Sequence, residues 1–293
     1  MYKKYKKPQI IAEIGCNHKG EFEVALELIE LAKQCKADIV KFQKRNPKEL
    51  LGEERYNTPH PNPANSYGKT YGEHREYLEF SQNQHYKLME HCKKNKIVYS
   101  TSVWDVTSAR EILELNPVSI KVPSACNNNY SMLKVLRDDY QGDIHVSLGM
   151  TKIDEEFKLI EFFEETDVAK NRLIIYSCTS GYPVPFKDVS LLEIERLFNV
   201  HGNRVKDIGF SGHHLGIAID IAAYTLGANW IERHFTKDRT WKGTDHAASL
   251  EPQGLSKLVR DLNVVHEALT FKNEEILEIE KVQREKLKYK IKK

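Results

Sequence analysis

The sequence predicts an α/β chain in which eight parallel strands alternate with helices and close into a (β/α)8 TIM barrel. Short runs rich in β-branched residues alternate with segments of helical periodicity, and this alternation indicates parallel strands. Eight such units in about 270 residues are typical of a barrel. The alternative is an open doubly wound sheet, but no GxGxxG fingerprint follows the first strand.

The predicted strands are short apolar runs with polar residues near their carboxyl ends. They are IIAEIG (10–15), ADIVKFQ (37–43), IVYSTSV (97–103), VSIKVPS (118–124), DIHVSLGM (143–150), RLIIYSCTS (172–180), VKDIGFSG (205–212) and NWIERHFT (229–236). The helical segments include FEVALELIELAKQC (22–35), NQHYKLMEHCKKN (83–95), TSAREILEL (107–115), LLEIERLFNVHG (191–202) and GIAIDIAAYTLGA (216–228).

The composition argues against several classes of protein. The 44 Lys and Arg residues nearly balance the 42 Asp and Glu residues, so the net charge of +2 predicts neither a nucleic acid nor a membrane as partner. The five cysteines are odd in number and lack CxxC spacing, which favours a reducing, cytoplasmic location over a disulfide framework. No stretch approaches the length of a membrane span.

The chain of 293 residues is expected to form one large domain and a short tail. Residues 1–272 are predicted to form the barrel, and residues 273–293 a single charged helix. Apolar residues suited to packing against the barrel or a partner recur in this helix at Ile276, Leu277, Ile279, Val282, Leu287 and Ile291.

Two lysines inside apolar strands predict an anion site. Lys41 and Lys121 would lose hydration energy in these strands unless each meets an opposite charge, so we expect them to share an anion. Four hydroxyl residues at strand ends would add neutral hydrogen-bond donors; these are Thr101, Ser124, Ser147 and Ser211. The pattern predicts a cage for a small phosphorylated acid at the C-terminal face, where barrel enzymes carry their active sites.

Two histidines end successive strands and therefore predict a metal site. His213 lies in SGHH and His234 in ERH, which places them at neighbouring positions of a barrel. Two imidazoles so placed suit a divalent first-row metal with open positions for water and a substrate oxygen.

The long segment 46–81 after the second strand is predicted to be a lid. It is rich in Pro, Asn, Gly and Tyr, and loops of this length are generally functional or disordered. A lid over a rigid barrel would exclude water from a reactive intermediate.

Eight motifs in order resemble the sialic acid synthase family, whose members condense phosphoenolpyruvate with an N-acylmannosamine or its 6-phosphate. They are IIAEIGCNHKG, VKFQ, YGEHREYLEFS, KVPS, SLGM, CTSGYPV, GFSGHHLGIAID and ERHFTKDRTWKGTDHAASLEP. The resemblance covers about residues 8–270, and each motif falls at a predicted strand end or the loop after it. The closing motif is more similar to the animal-type 9-phosphate synthases than to many bacterial free-sugar synthases.

The resemblance implies a role for each matching residue. Lys41, Lys121 and the four hydroxyl residues of the predicted cage would bind phosphoenolpyruvate. The catalytic residues would be Glu13, Lys121 and Glu232. The residues lining the sugar site would be Gln43, Tyr71, His74, Ser180, Tyr182 and Asp245. A divalent ion, with manganese favoured over magnesium and cobalt, would be held by His213 and His234.

The resemblance also implies the reaction and its partners. The ion would polarise the aldehyde of an open-chain aldose or aldose phosphate while carbon 3 of phosphoenolpyruvate attacks it. Water steered by Glu13 would then add at carbon 2, and phosphate would leave to give an α-keto acid sugar. Family members are usually dimers, so a homodimer is expected.

Three departures from the family pattern bear on the acceptor. Cys126 stands where relatives carry an acid, and it could ligate metal, pack inertly or accompany a different sugar. Ser180 replaces a usual asparagine. The tail is too short for the usual antifreeze-like domain, which lends an arginine to the partner's N-acyl group. An acceptor without an N-acyl group, giving an ulosonic acid of KDN or Kdo type, is therefore an alternative.

Two other functions remain as alternatives. A non-catalytic sugar-phosphate-binding barrel would bind ligand without releasing phosphate. A different metal-dependent barrel enzyme, such as an aldolase or epimerase, would need Lys41 or Lys121 to have a depressed pKa for Schiff-base chemistry.

Overall fold

A computed structural model describes residues 5–289, and these form a closed barrel of eight parallel strands. The strands are β1 (Gln9–Gly15), β2 (Ile39–Lys44), β3 (Val98–Val103), β4 (Ser119–Val122), β5 (Asp143–Ser147), β6 (Leu173–Cys178), β7 (Asp207–Gly212) and β8 (Trp230–His234). Each strand pairs with the next, and β8 pairs with β1. The predicted fold class is confirmed, and every predicted strand overlaps an observed one.

Helices connect the strands and surround the barrel. They are α1 (Phe22–Gln34), α2 (Pro47–Leu50), α3 (Glu53–Asn57), α4 (Tyr71–Tyr77), α5 (Gln82–Lys94), α6 (Val106–Leu113), α7 (Tyr130–Asp139), α8 (Ile153–Glu164), α9 (Val168–Arg172), α10 (Glu193–His201), α11 (Ala218–Thr225), α12 (Pro252–Ala268) and α13 (Glu278–Leu287). Short 3-10 turns lie at Pro63–Asn65, Ser124–Cys126, Phe186–Asp188 and His246–Ala248.

The alternation of side chains along each strand separates a polar interior from an apolar outer layer. In β2, Lys41 and Gln43 line a central cavity, whereas Val40 and Phe42 pack in the apolar layer beneath the helices. The barrel is closed below the cavity by a small buried cluster of Ile11, Ile39, Ile174 and Tyr176, against which Trp230 packs. The charged groups that line the cavity therefore lie toward the C-terminal ends of the strands.

The predicted lid segment is ordered by local hydrogen bonds and ring stacking. Thr70 caps α4, because its hydroxyl accepts from the Glu73 amide at 3.1 Å and the Glu73 carboxylate accepts from the Thr70 amide. The rings of Tyr67 and Tyr77 stack with centroids 5.1 Å apart. The Tyr67 hydroxyl donates to the carbonyl of Lys242 at 2.6 Å, which ties the segment to the loop after β8.

The charged helix predicted at the C-terminus corresponds to α13. None of its residues is buried, and Ile279 and Leu287 are 81% and 76% exposed. Within residues 5–289 the apolar side chains of this helix therefore do not pack into the barrel. The predicted position Ile291 lies outside the described residues. No helix in the described part of the chain combines the length and apolar character that a membrane span requires.

Arg233 is a buried charge on the outer side of β8 that fixes the loop after β7. The side chain is 1% exposed and forms an ion pair with Asp220 of α11, which is also buried. It also donates to the carbonyl of Gly216 at 2.8 Å and to that of His214. Because this loop follows β7 directly and carries His213, the ion pair supports one wall of the central cavity.

Replacing Asp220 with alanine is expected to destabilise the fold strongly. The change leaves the Arg233 guanidinium buried without a counter-charge, a loss of about 3 to 5 kcal/mol in the free energy of unfolding. Urea denaturation measures it. The matched control is Asp261→Ala, which breaks an exposed pair with Arg260 (2.7 Å) and is expected to change the free energy of unfolding little. Equal losses in the two variants would contradict the structural role of the pair.

Candidate active site

A cavity of about 330 Å³ opens at the C-terminal ends of the strands and brings together most of the predicted site residues. The predicted residues that line it are Glu13, Lys41, Gln43, Lys121, Ser124, Ser147, Ser180, Tyr182, Ser211, His213, Glu232, His234 and Asp245. They come from all parts of the chain and meet because parallel strands place their carboxyl ends on one face. Thr101, Tyr71 and His74 were predicted for this site but are not among its lining residues.

The floor of the cavity holds two lysines and two glutamates in alternating contact. Lys41 forms a close ion pair with Glu13 and lies 3.7 Å from Glu232. Lys121 lies 2.7 Å from the other oxygen of Glu232. All four side chains are at most 5% exposed. From the sequence we expected a ligand to neutralise the two lysines. In the structure, the carboxylates of Glu13 and Glu232 already form ion pairs with them.

This pairing sets the charge state of the floor. Burial alone lowers the pKa of Lys41, but Glu13 and Glu232 more than offset it, so this pKa is raised. For Lys121, burial and the nearby Lys41 outweigh the opposing effect of Glu232, so its pKa is lowered. Burial opposes ionisation of Glu232, but the two lysines hold the pKa of its carboxyl well below the usual range. Lys41 and Glu232 therefore stay charged, because each has oppositely charged groups beside it.

An aromatic ring supports Lys121 from below. The Lys121 ammonium lies 4.1 Å from the ring centroid of Tyr176, a cation–π contact in a dry setting. The Tyr176 hydroxyl is 2.7 Å from Nδ1 of His145, and burial lowers the pKa of His145 to about 3. His145 and Tyr176 were not predicted as part of the site, although His145 pairs in register with Lys121 on the neighbouring strand.

Three of the predicted hydroxyl residues converge beside the floor. Ser124, Ser147 and Ser211 all line the cavity, and the Ser211 hydroxyl donates to Glu232 at 3.2 Å. The backbone at residue 149 lies so close to two of the serine side chains that only glycine fits there. A Cβ atom at this position would lie 2.5 Å from the Ser180 hydroxyl and 2.7 Å from the Ser124 hydroxyl. These hydroxyls therefore belong to a built set of neutral donors.

The fourth predicted hydroxyl, Thr101, is replaced by its neighbour Ser102. Thr101 pairs in register with Phe42 and Ile120, both of which pack in the apolar layer outside the barrel. Ser102 pairs with Gln43 and Lys121 and lines the cavity. Since side chains alternate along a strand, a shift of one residue moves the hydroxyl to the other face. The structure corrects the placement of Thr101 accordingly.

His213 and His234 face each other at the rim, with ring centroids 5.4 Å apart. Nδ1 of His213 is 2.9 Å from the carbonyl of Thr179, so it carries the proton and leaves Nε2 as an acceptor. Burial lowers the pKa of His213 to about 3, which keeps this ring neutral, as a metal ligand must be. Both rings line the same cavity, so they fit a divalent ion.

The donor set is restricted to these two rings. Among residues 5–289, no group of three or more His, Cys, Asp and Glu side chains is arranged to hold an ion. The nearest carboxylate to His234 is Asp245, whose oxygen is 3.7 Å from Nδ1. An ion at this position would therefore keep open positions for water and substrate.

One wall of the cavity carries side chains suited to hydroxyl groups. Gln43 donates to Glu13 at 2.6 Å, Tyr182 packs its ring 4.3 Å from that of His213, and Asp245 accepts from Thr244 at 2.9 Å. Burial raises the pKa of Asp245, but His234 and Thr244 outweigh it, so the pKa is lowered and the carboxylate stays ionised. Ser180 completes this wall.

The two lid residues predicted for the sugar site lie elsewhere. His74 is 1% exposed inside the lid, where its Nδ1 accepts from the Tyr67 amide at 3.1 Å. Tyr71 lines a second, adjoining cavity. Arg45 and Arg75 instead line the main cavity. Arg75 belongs to the YGEHREYLEFS motif and is a contact expected of the predicted lid, whereas Arg45, just after a strand, was not predicted.

The fold and the cavity define a parallel-barrel enzyme with a charged site and an imidazole pair at its C-terminal face. The NeuB family matches residues 28–274, and the chain belongs to this family. It is 37% identical over 280 residues to the N-acetylneuraminate-9-phosphate synthase of Homo sapiens, covering 95% of this chain and 76% of that protein. The predicted resemblance is confirmed, and with it the prediction that the chain is an enzyme.

Two further relatives extend the comparison. The chain is 32% identical over 264 residues to the N,N'-diacetyllegionaminic acid synthase of Campylobacter jejuni, covering 90% of this chain and 78% of that protein. Its fold matches the crystal structure of N-acetylneuraminic acid synthetase from Leptospira borgpetersenii in complex with citrate. That match has a TM-score of 0.81 and 28% identity, and covers 97% of this chain and 94% of that one.

Replacing Glu232 with glutamine is expected to lower the pKa of Lys121 further. Burial already lowers this pKa, and Glu232 is the main group that opposes the effect. NMR titration of protein labelled at lysine Nζ measures it, with the resonance assigned from its absence in Lys121→Met. The control is Glu111→Gln, which removes the partner of Lys44 instead. An unchanged or higher Lys121 pKa in Glu232→Gln would contradict the pairing.

Proposed function

We propose that this chain condenses phosphoenolpyruvate with the open-chain form of an aldose or aldose phosphate, giving a sialic-acid-like 3-deoxy-2-ulosonic acid and phosphate. The observation that carries the proposal is the single cavity that joins two buried lysines, a row of serine hydroxyls and an imidazole pair. Membership of the NeuB family and the relatives named above supply the reaction class.

Phosphoenolpyruvate binds at the floor in this proposal. Lys41 and Lys121 contact its phosphate and carboxylate, while Ser102, Ser124, Ser147 and Ser211 add neutral donors that bring no further like-charge repulsion. Because Glu13 and Glu232 already balance the two lysines, the floor is not a strongly cationic trap. Binding therefore relies on several hydrogen bonds at once, and specificity follows from their geometry.

In this proposal the acceptor lies over the wall formed by the predicted sugar-site residues. Gln43, Ser180, Tyr182 and Asp245 contact its hydroxyl groups, with Asp245 accepting as an ionised carboxylate. His213 and His234 lie at the aldehyde end of this wall. A divalent ion, manganese by preference, held by these two histidines would supply Lewis-acid polarisation of the aldehyde oxygen.

The bond changes balance without any further reactant. Carbon 3 of phosphoenolpyruvate forms a bond to the aldehyde carbon, whose oxygen takes up a proton and becomes a hydroxyl. Water adds at carbon 2, and Glu13, held by Gln43 at 2.6 Å and by Lys41, orients it and accepts its proton. The carbon 2–oxygen bond to phosphate then breaks as the carbon 2 hydroxyl becomes a carbonyl and gives its proton to the leaving phosphate, whose charge Lys41 and Lys121 offset.

The charge states of the lysines bear on the Schiff-base alternative. Lys41 has a raised pKa, since two carboxylates flank it, so it is a poor amine nucleophile. Lys121 has a lowered pKa, but its ammonium is paired with Glu232 at 2.7 Å. Both lysines are therefore better suited to binding anions than to forming an imine.

The proposal extends to the native assembly. A homodimer, a cytoplasmic location and manganese as the native ion are part of it; the resemblance to the family supports the dimer and the ion, and the scattered cysteines support the location.

The assay that tests the function measures inorganic phosphate released from phosphoenolpyruvate. The purified chain is incubated with Mn²⁺ and mannose, N-acetylmannosamine, arabinose or their terminal phosphates, with mass detection of keto-acid products. Release is expected to require both a sugar and the ion, and to fall by about a hundredfold or more in His213→Ala and His234→Ala. EDTA should abolish it and added Mn²⁺ restore it.

The matched control is His91→Ala, which alters a histidine on the outer helix α5 whose ring is 3.1 Å from Glu30. This variant should retain activity. Phosphate release without any sugar, or full activity in both rim-histidine variants, would contradict the proposed reaction. Binding of phosphoenolpyruvate with no release for any sugar would favour a non-catalytic barrel.

A further inference from the structure

The helix α13 carries apolar side chains that residues 5–289 leave uncovered. Ile279, Val282 and Leu287 are each more than half exposed, and no residue of the helix is buried. Positions four apart lie on one face of a helix, so Ile279, Gln283 and Leu287 form a ridge along α13. A helix of ten residues with no packed face is marginal in water. We therefore expect another surface to cover α13 in the native assembly.

A groove of about 420 Å³ runs alongside this ridge. It lies between α13 and the segment that leads into the helix, and its lining includes Ile276, Gln283 and Leu287. The other lining residues carry charges of both signs; they are Lys272, Glu275, Glu280, Arg284 and Lys288. An apolar strip bordered by charges of both signs is suited to contact with another amphipathic helix.

The charges of α13 are divided between its two ends. Its first turn carries Glu278 and Glu280, and its last turn carries Arg284 and Lys286. In the described part of the chain, the ion pairs of this helix involve Glu278 and Glu280, whereas Arg284 and Lys286 have no carboxylate partner. The division complements the dipole of the helix itself, but it also leaves a basic end that can pair with carboxylates of another molecule.

A second copy of α13 running antiparallel matches both the ridge and the charges. If the two helices cross at Gln283, Ile279 of each copy lies opposite Leu287 of the other, since both are four residues from the crossing point. The acidic first turn of each copy then lies beside the basic last turn of the other. A parallel arrangement would bring like charges together. Both copies use the same surface, as a two-fold symmetric contact requires.

We propose that α13 is a self-association surface through which two copies of this chain pair antiparallel, centred on Gln283. No residue of α13 lines the main cavity, so this surface is separate from the candidate active site. It gives the proposed homodimer an interface and does not depend on the proposed reaction. Each helix is about 15 Å long, so the pair is at the small end of specific interfaces and should dissociate on dilution.

Sedimentation equilibrium of the full chain over a range of concentrations tests the pairing. One variant reverses the charges of the acidic end, Glu278→Lys with Glu280→Lys. A second variant reverses those of the basic end, Arg284→Glu with Lys286→Glu. Each variant alone, and an equimolar mixture of the two, is compared with wild type.

Each charge variant alone is expected to associate at least about tenfold more weakly than wild type, because charges of one sign then predominate on its α13. The mixture should recover association, since a positive helix then meets a negative one. Ile279→Ser is expected to weaken association about tenfold, because its apolar contact with Leu287 of the other copy is lost. The thermal midpoint of the barrel should be the same in all variants, since no residue of α13 is buried.

The matched control reverses two exposed acids on other helices, Glu23→Lys on α1 and Glu161→Lys on α8. It makes the same change in net charge as the acidic-end variant, and it should associate as wild type does. Weakening of the control to the same degree would assign the effect to net charge and overturn the inference.

Three further outcomes would overturn the inference. They are a wild-type chain that stays monomeric at every concentration, equal association in wild type and both charge variants, and a mixture that does not recover association. A monomeric wild type that binds vesicles of phosphatidylcholine and phosphatidylserine would assign α13 to an anionic surface instead. Phosphate release from phosphoenolpyruvate, measured on the same proteins, separates the two proposals: release without α13 pairing rejects only the interface, and pairing without release rejects only the reaction.

Discussion

The buried contact among Lys41, Glu13, Glu232 and Lys121 is the interaction on which the site depends. Isolated charges cannot be buried in a barrel without a large loss of hydration energy, so each of these groups requires the others. Four different strands supply them, and β1, β2, β4 and β8 must keep their register for the charges to meet. The contact therefore links the architecture of the barrel to the electrostatic character of its mouth.

This charge balance explains why the cavity carries so many other donors. Since the lysines are already paired, a multiply charged ligand gains less from them than it would from free ammonium groups. Serine hydroxyls, the imidazole pair and the arginines that line the cavity are then needed to hold it. The same balance keeps the empty floor stable, because no charge is left uncompensated when substrate departs. The lid and the loop after β8, joined through Tyr67 and Lys242, enclose these groups.

The fold and most of the site could be predicted because strand ends carry a strong local signal. In a barrel, a polar residue at the carboxyl end of an apolar strand lies at the C-terminal face. This signal located Glu13, Lys41, Lys121 and His234. Thr101 was misplaced because adjacent hydroxyl residues on β3 differ only in the face they occupy, and tertiary register decides this. His74 and Tyr71 were misplaced, and Arg45 went unrecognised, because folding of the lid follows from contacts distant in sequence.

A crystal structure of the chain with phosphoenolpyruvate and Mn²⁺ would show whether the paired lysines bind this substrate. We expect phosphoenolpyruvate over the floor, within hydrogen-bond distance of Lys41, Lys121 and the serines at the strand ends, and anomalous scattering from manganese beside His213 and His234. Phosphoenolpyruvate outside this cavity, or bound there with Lys41 and Lys121 turned away from it, would contradict the account.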